Sequence, residues 1–422
     1  MLNRRNASIF IFIMLLAAGK LHSNDIIRCS ATEVFKRNAA ENPVLLQRKQ
    51  QQELAFQQSL LNKQALKENG IQALITIPVV IHVVYKNETE NISDQQIQSQ
   101  LDILNKDFRN LNADKLPSLH PFFPLTGNAE FEFCLANLDP NGNATTGITR
   151  TNTTIEEFTD DDLAKFDSLG GVNGWNAEKY LNIWVCDLGN QLLGYATFPT
   201  DLSDNPQADG VVINFTAFGT LGTAKSPFDR GRTATHEIGH WLNLEHIWGD
   251  DQDCSGTDGV DDTPDQRVET INCPSGVLTD ICTATAPGIM YQNFMDYTDD
   301  ACMVMFSNGQ AERMRFFFEE LRSEMLTNNI CSGTTNIGFQ NASRLKIYPN
   351  PVQNYLMIEG LPKTRTRFYT IDIFNTIGQK VYTNSINTED QLIEMSDFKS
   401  GTYMMMIYNE EFSATQKLTV VK

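Results

Sequence analysis

His236-Glu237-Ile238-Gly239-His240-Trp241-Leu242-Asn243-Leu244-Glu245-His246 is the stretch on which the reading of this chain turns. On a helix, residues 236 and 240 lie one turn apart on one face, so both imidazoles reach a single metal ion. Glu237 sits one step round, close enough to hydrogen-bond a water on that metal without taking a coordination position. His246 closes the site only if the helix ends between residues 240 and 246. Asn243 is the expected end, because asparagine tolerates the left-handed backbone that terminates helices. Three neutral imidazoles and a water make a tetrahedral zinc site with one open position, which is the catalytic arrangement rather than the structural one. Such a zinc lowers the pKa of its water towards ~7 and polarises a carbonyl, and peptide hydrolysis needs both effects. His22, His82 and His120 lack this spacing and are read as incidental or packed.

Composition and the chain ends narrow the setting. The 422 residues suffice for two or three domains after processing. The balance of 33 basic against 52 acidic residues, net −19, argues against a nucleic-acid or anionic-membrane partner. Arg4 and Arg5 precede an apolar run over residues 9–18, a secretory signal peptide over 1–23 that is too short for a transmembrane anchor. A lipid anchor on Cys29 is disfavoured, because Arg28 precedes it and the apolar run ends well upstream. No other stretch could span a bilayer, so the mature protein is expected outside the cytoplasm with no transmembrane segment. In that setting its eight cysteines favour disulfides over thiols.

Residues 24–70 are polar, Gln-rich and helical in pattern, with Leu54, Leu60, Leu61 and Leu66 as sparse apolar positions, and read as a pro-segment. Basic residues within 48–70, namely Arg48, Lys49, Lys63 and Lys67, offer activation sites. Residues 71–331 read as the catalytic domain. The β-branched run 75–85 predicts a central strand, and Ile97, Leu101, Leu104 and Phe108 predict a helix over 94–110. Further strands are expected at 130–136, 180–186, 193–198 and 210–215, and the zinc helix at 233–243. Ser307 and Gln310 predict a capping box opening a helix to about residue 326. The fold class is therefore α/β: a mixed twisted sheet, a zinc-bearing helix and an irregular lower part. A Ser/Gly/Thr/Asn linker over 332–343 leads to a small all-β sandwich at 344–422, marked by alternating strands and turn signals such as Pro349-Asn-Pro351.

Downstream of the histidines stands Asn293-Phe-Met-Asp-Tyr297. With the text from Thr235 to Asp250, Asp261-Asp-Thr-Pro264, and Met290 to Phe306, it resembles the pappalysin family of metzincin metallopeptidases. The family usually has Gly where this chain has Asn243. The resemblance implies a metzincin-like fold with His236, His240 and His246 on zinc and Glu237 as general base. It also implies Tyr297 steadying the tetrahedral intermediate and Met295 as the hydrophobic base under the metal. Asp300 would line the pocket for the residue after the scissile bond and select Arg, less strongly Lys; Asp299 is the neighbouring alternative. Calcium would be held in the acidic stretch 250–263 by Asp258, the Asp261 backbone and Thr263, which suits a cation that takes about six to eight oxygens. Disulfides Cys254–Cys282 and Cys273–Cys302 are implied, while Cys134, Cys186 and Cys331 stay unassigned. Cys29, after Arg28, resembles the family's cysteine switch, with Ser30 in place of Gly; pairing with a leftover cysteine is the alternative. The C-terminal sandwich, opening at Ile347-Tyr-Pro-Asn-Pro351 and closing at Lys417-Leu-Thr-Val-Val-Lys422, resembles type IX secretion sorting domains, which implies that machinery as a partner. A carbohydrate-binding sandwich is the rival.

The function expected is a secreted zinc endopeptidase, made as a latent zymogen and acting on polypeptides. The edge strand expected at 193–198 favours such substrates, by strand addition. The alternatives are a secreted binding or adhesion protein with a vestigial zinc domain, and a zinc hydrolase acting on something other than peptides.

Overall fold

The computed structural model describes residues 26–66, 73–251, 253–327, 330–331, 346–359, 361, 368–375, 380–387, 391–408 and 413–422. The signal peptide expected at 1–23 and the linker at 332–343 lie outside the described residues. The pro-segment contributes helices α1 (Ala31–Glu41) and α2 (Val44–Leu66). A six-stranded sheet follows, from β1 (Ile75–Tyr85), β2 (Phe131–Leu135), β3 (Ile148–Asn152), β4 (Leu181–Cys186), β5 (Gly194–Ala196) and β6 (Val211–Asn214). Three helices accompany it: α3 (Asp94–Asp107), α4 (Arg232–Trp241) and α5 (Asn308–Leu321).

β1 is β-branched almost throughout because both its faces are covered. Ile77, Val79, Ile81 and Val83 enter the main core, while Val80 and Val84 enter smaller clusters on the other face. β1 pairs in parallel with β4 on one side. On the other it pairs with β2 along its first half and β3 along its second. The path runs β2-β1-β4-β6-β5, and β5 is the antiparallel edge strand. That edge lies where an extended strand was expected. β3 was not anticipated, because Ile-Thr-Arg-Thr-Asn is polar and only half buried, and its partner rather than its own hydrophobicity makes it a strand.

Helix α3 is capped by Ser93, whose side chain accepts from Gln96 N, and it buries Ile97, Leu101 and Leu104 together with Phe108. Ala234, Ile238 and Trp241 of α4 enter the same core, so the sheet and α3 fix the helix from behind. The capping box at Ser307 and Gln310 is formed. Its helix stops at Leu321 rather than about 326, because Arg322 turns inward. The Arg322 guanidinium donates to both oxygens of buried Asp209, at 2.7 and 2.9 Å, and stacks 3.8 Å over Trp241, whose Nε1 donates to the same carboxylate.

The pro-segment packs through residues other than the leucines of its pattern. Val34, Phe35, Ala39, Leu45 and Phe56 are buried, whereas Leu54 and Leu61 are exposed. Few, large anchors carry the contact: Phe56 sits against Phe316 and Phe317. Arg48 and Lys49, offered as activation sites, lie inside α2 and pair with Asp204 and Glu245.

The C-terminal strands are β7 (Lys346–Tyr348), β8 (Tyr355–Glu359), β9 (Phe368–Phe374), β10 (Lys380–Asn387), β11 (Gln391–Glu394), β12 (Gly401–Tyr408) and β13 (Ser413–Val420). They form antiparallel sheets ordered β10-β9-β12-β13 and β11-β8-β7, around a core that includes Leu356, Ile371, Ile373, Met405 and Leu418. Among the described residues no helix is long and apolar enough to cross a membrane.

Arg322→Met removes one half of a buried ion pair and leaves Asp209 uncompensated, so it should cost about 3–5 kcal/mol. A lowered thermal midpoint of the catalytic domain would register the loss, and an unchanged midpoint would contradict this account of Arg322.

Candidate metal centre

The zinc helix α4 is buried along its whole length and ends in a Schellman turn. Leu244 N donates to Gly239 O at 2.9 Å and Asn243 N to His240 O at 2.8 Å, which satisfies two carbonyls the helix would otherwise leave bare. Asn243 has φ 74°, the positive value for which asparagine was read there. Its carbonyl accepts from Arg313 Nε at 2.8 Å, which holds the reversal in place. The chain then turns back and brings His246 against the helix.

The Nε2 atoms of His236, His240 and His246 converge, with separations of 3.1, 3.2 and 3.3 Å. Bonds of ~2.0–2.1 Å to a tetrahedral zinc would set such atoms ~3.3–3.4 Å apart, so the spacing fits. Each ring spends its other nitrogen outward: His236 Nδ1 on Phe294 O, His240 Nδ1 on Leu244 O and His246 Nδ1 on Asp250 Oδ1, all at 2.7 Å. With Nδ1 protonated, the three Nε2 lone pairs face one another, an arrangement that only a shared cation relieves. Burial, then the neighbouring imidazoles, holds His236 and His240 well below the usual range and keeps them neutral.

Cys29 joins this cluster: its sulfur and the three Nε2 atoms all lie within 4.8 Å of one another. The sulfur also lies 3.3 Å from Glu237 Oε2 and accepts from Ala31 N, at the opening of α1. Glu237 Oε1 is buried without a partner. Burial pushes the Glu237 carboxyl up to about 8. The donor set of imidazoles, a thiol and an unsatisfied carboxylate oxygen fits a zinc with one exchangeable position.

Tyr297 stands beside His246 and His236, with ring centroids 4.9 and 5.6 Å away, and its hydroxyl donates to Cys29 O at 3.3 Å. Met295 lies buried under α4, where a Cβ added to Gly239 would come within 2.5 Å of its sulfur. Asp300 is fully buried. Its Oδ2 accepts from Arg230 N and Arg232 N, and its Oδ1 lies 3.5 Å from Arg28 Nη1. Burial raises the Asp300 carboxyl, against the pull of Arg28. Asp299 is only half-buried, and Arg28 is turned to its neighbour Asp300 instead.

In the acidic stretch, both oxygens of buried Asp258 accept from Thr263 Oγ1 at 2.8 Å, while the Asp261 side chain is exposed. Asp262 accepts from Ser307 Oγ and Gly309 N, at the start of α5. Cys254–Cys282 and Cys273–Cys302 are bonded, and Cys134 pairs with Cys331. Cys29 and Cys186 are free, so the alternative pairing of Cys29 is not what forms. His82 is buried in the sheet between Thr149 and Asn182, far from this chemistry.

Asp250 and Trp248 were not singled out from sequence. Asp250 orients His246, and also accepts from Thr32 of the pro-segment at 2.8 Å. Burial opposes its charge, yet His246 beside it holds the carboxyl well below the usual range. Its spacing, four residues after His246, was a usable signal, lost because Asp250 stands at the head of an acidic run and looks like the aspartates that follow. Trp248 stacks on His246 at 4.4 Å and 6°.

Comparison with known proteins places this geometry among relatives. Residues 167–319 match the family model described as pregnancy-associated plasma protein-A, and residues 346–421 match a secretion system C-terminal sorting domain. An extracellular metalloprotease of Arthroderma benhamiae is 31% identical over 261 residues, 60% of this chain and 76% of that protein. One from Verticillium alfalfae is 31% identical over 257 residues, 59% and 79%. Among solved structures, mature mirolysin of Tannerella forsythia with a cleaved peptide is 54% identical and covers 62% of this chain and 100% of its own, with a TM-score of 0.61. A promirolysin mutant from the same organism is 49% identical, covers 71% and 96%, and has a TM-score of 0.63.

Gly239→Ala would drive a methyl group into the Met295 sulfur and tilt the support of the histidines. A destabilisation of about 1–3 kcal/mol is expected, with metal lost at a lower chelator concentration than in the wild type. Unchanged retention of metal and stability would contradict the role given to this contact.

Proposed function

The chain belongs to the pregnancy-associated plasma protein-A family of metallopeptidases, and from that premise we propose that it is the latent precursor of a secreted zinc endopeptidase that cuts before Arg and Lys. The observation that carries this reading is the course of the pro-segment. Cys29 reaches the histidine cluster while the adjacent Arg28 reaches Asp300, so one dipeptide fills both the metal position and the pocket beside it.

His236, His240 and His246 would hold the zinc through Nε2. When bound there, zinc supplies Lewis acidity: it polarises a carbonyl and lowers the pKa of water towards ~7. Glu237 is assigned to take a proton from the attacking water at its unpartnered Oε1 and pass it to the leaving amine nitrogen. Tyr297 Oη, which here donates to the Cys29 carbonyl, is assigned to donate to the oxygen of the scissile carbonyl. Backbone groups next to β5 bind the pro-segment now. Ile27 N donates to Gln191 O, Leu193 N to Ile27 O, and Ser30 N to Gly194 O. The same groups would pair with a substrate strand once the pro-segment has gone.

Latency follows from this arrangement, because Cys29 would exclude water from a bound metal while α1 packs against β5 and Phe35 against Phe198. Activation requires a cut within about 48–70 that frees the pro-segment. The calcium reading keeps Asp258, the Asp261 backbone and Thr263 as ligands; chelation should then unfold the disulfide-bonded loop as well as stop catalysis. In domain terms, 24–70 acts as the inhibitor, 71–331 as the peptidase and 344–422 as the sorting signal read by type IX machinery. The protein is secreted or held at the cell surface.

A mixed peptide pool offered to the activated wild type and to Glu237→Ala tests the reading, with cut sites located by mass spectrometry. The wild type should cut before Arg and Lys, and Glu237→Ala should lose at least about 10²-fold in rate. Asp300→Asn should keep cutting but lose the basic preference. Cuts by both wild type and Glu237→Ala would remove the base, and cuts without regard to Arg or Lys would remove the pocket.

A further inference from the structure

The Asp300 carboxylate gives only half of itself to a basic side chain. Oδ2 is taken by the backbone N–H groups of Arg230 and Arg232, which leaves Oδ1 alone to face the Arg28 guanidinium, at 3.5 Å. A single oxygen cannot make the two-pronged contact that distinguishes guanidinium from ammonium. Yet Arg28 is well held, only 6% exposed, and two other groups account for that. Its Cζ lies 4.4 Å from the centroid of the Phe228 ring, and its Nη2 donates to Met303 Sδ at 2.8 Å.

Phe228 is fixed in this place by the backbone and the carboxylate of the same Asp300 that provides the charge. Asp300 N donates to Pro227 O at 3.3 Å, one residue before Phe228, and Arg230 N, two residues after it, donates to Asp300 Oδ2. The ring is half-buried, with one face given to the guanidinium. A flat, weakly hydrated guanidinium stacks on such a face, whereas a lysine ammonium is a compact, strongly hydrated point charge.

We propose that Phe228, supported by Met303, is the specificity residue that makes this pocket prefer Arg over Lys, while Asp300 supplies only the requirement for positive charge. The proposal rests on the reading that Arg28 occupies the place of the residue after the scissile bond. Asp300 then selects basic over neutral side chains, and Phe228 selects between the two basic ones. The two selections are separable, because they depend on different atoms of the ligand.

The test uses the activated full-length enzyme and two peptides that differ only in carrying Arg or Lys after the scissile bond. Phe228→Leu should lower kcat/KM for the Arg peptide about tenfold and that for the Lys peptide less than about twofold. Phe228→Tyr, which keeps the aromatic face, should retain the wild-type ratio. The Lys peptide serves as the control for folding and for the metal centre. An Arg-to-Lys ratio unchanged in Phe228→Leu overturns the proposal, and so does a proportional loss on both peptides. A wild type indifferent to basic residues overturns the pocket assignment beneath it, an outcome distinct from the other two.

Discussion

Three imidazole nitrogens held 3.1–3.3 Å apart in a buried site is the constraint on which the rest of the catalytic domain depends. Neutral rings place lone pairs face to face there at a cost in repulsion and lost hydration. The site persists because each ring is anchored by its other nitrogen to a different piece of chain. Phe294 O comes from the segment that also carries Met295, Leu244 O from the Schellman turn, and Asp250 from the loop beyond Trp248. The methionine turn, the helix end and the loop are thus required together. None of them can move without turning a ligand away.

The pro-segment exploits this rigidity. Its contacts divide into a central pair, Arg28 and Cys29, and a periphery of helical anchors. The central pair meets groups already oriented by the catalytic domain: Asp300 is held by two backbone N–H groups, and the histidines by their Nδ1 partners. The periphery has a different character. Arg48 on Asp204 and Lys49 on Glu245 are partly exposed ion pairs, individually weak, whereas Phe56 and Phe35 bury apolar surface. Contact with the histidine cluster and peripheral packing therefore reside in different residues.

Much of this was legible in the sequence, for identifiable reasons. Local periodicity located β1, α3, α4 and the capping box of α5, because in each the side-chain spacing and the packing agree. The helix end at Asn243 was readable from one residue's tolerance of positive φ. Groups whose partners are distant in sequence were not readable. Asp209 and Arg322 are 113 residues apart, and no local pattern marks either as buried. β3 is polar and exists because β1 pairs with it. Phe228 sits in a loop with nothing to distinguish it until Arg28, 200 positions away, is placed on its ring. Asp250 was visible but given no role, since an aspartate in an acidic run looks like its neighbours.

X-ray absorption at the zinc edge, on the intact precursor and on the processed enzyme, tests the central claim most directly. Three nitrogen neighbours at ~2.0–2.1 Å and one sulfur at ~2.3 Å are predicted in the precursor, with the sulfur replaced by a light atom after processing. A precursor whose zinc has only light neighbours would contradict the assignment of Cys29 to the metal. Retention of sulfur in the fully active enzyme would contradict the account of how the site is released.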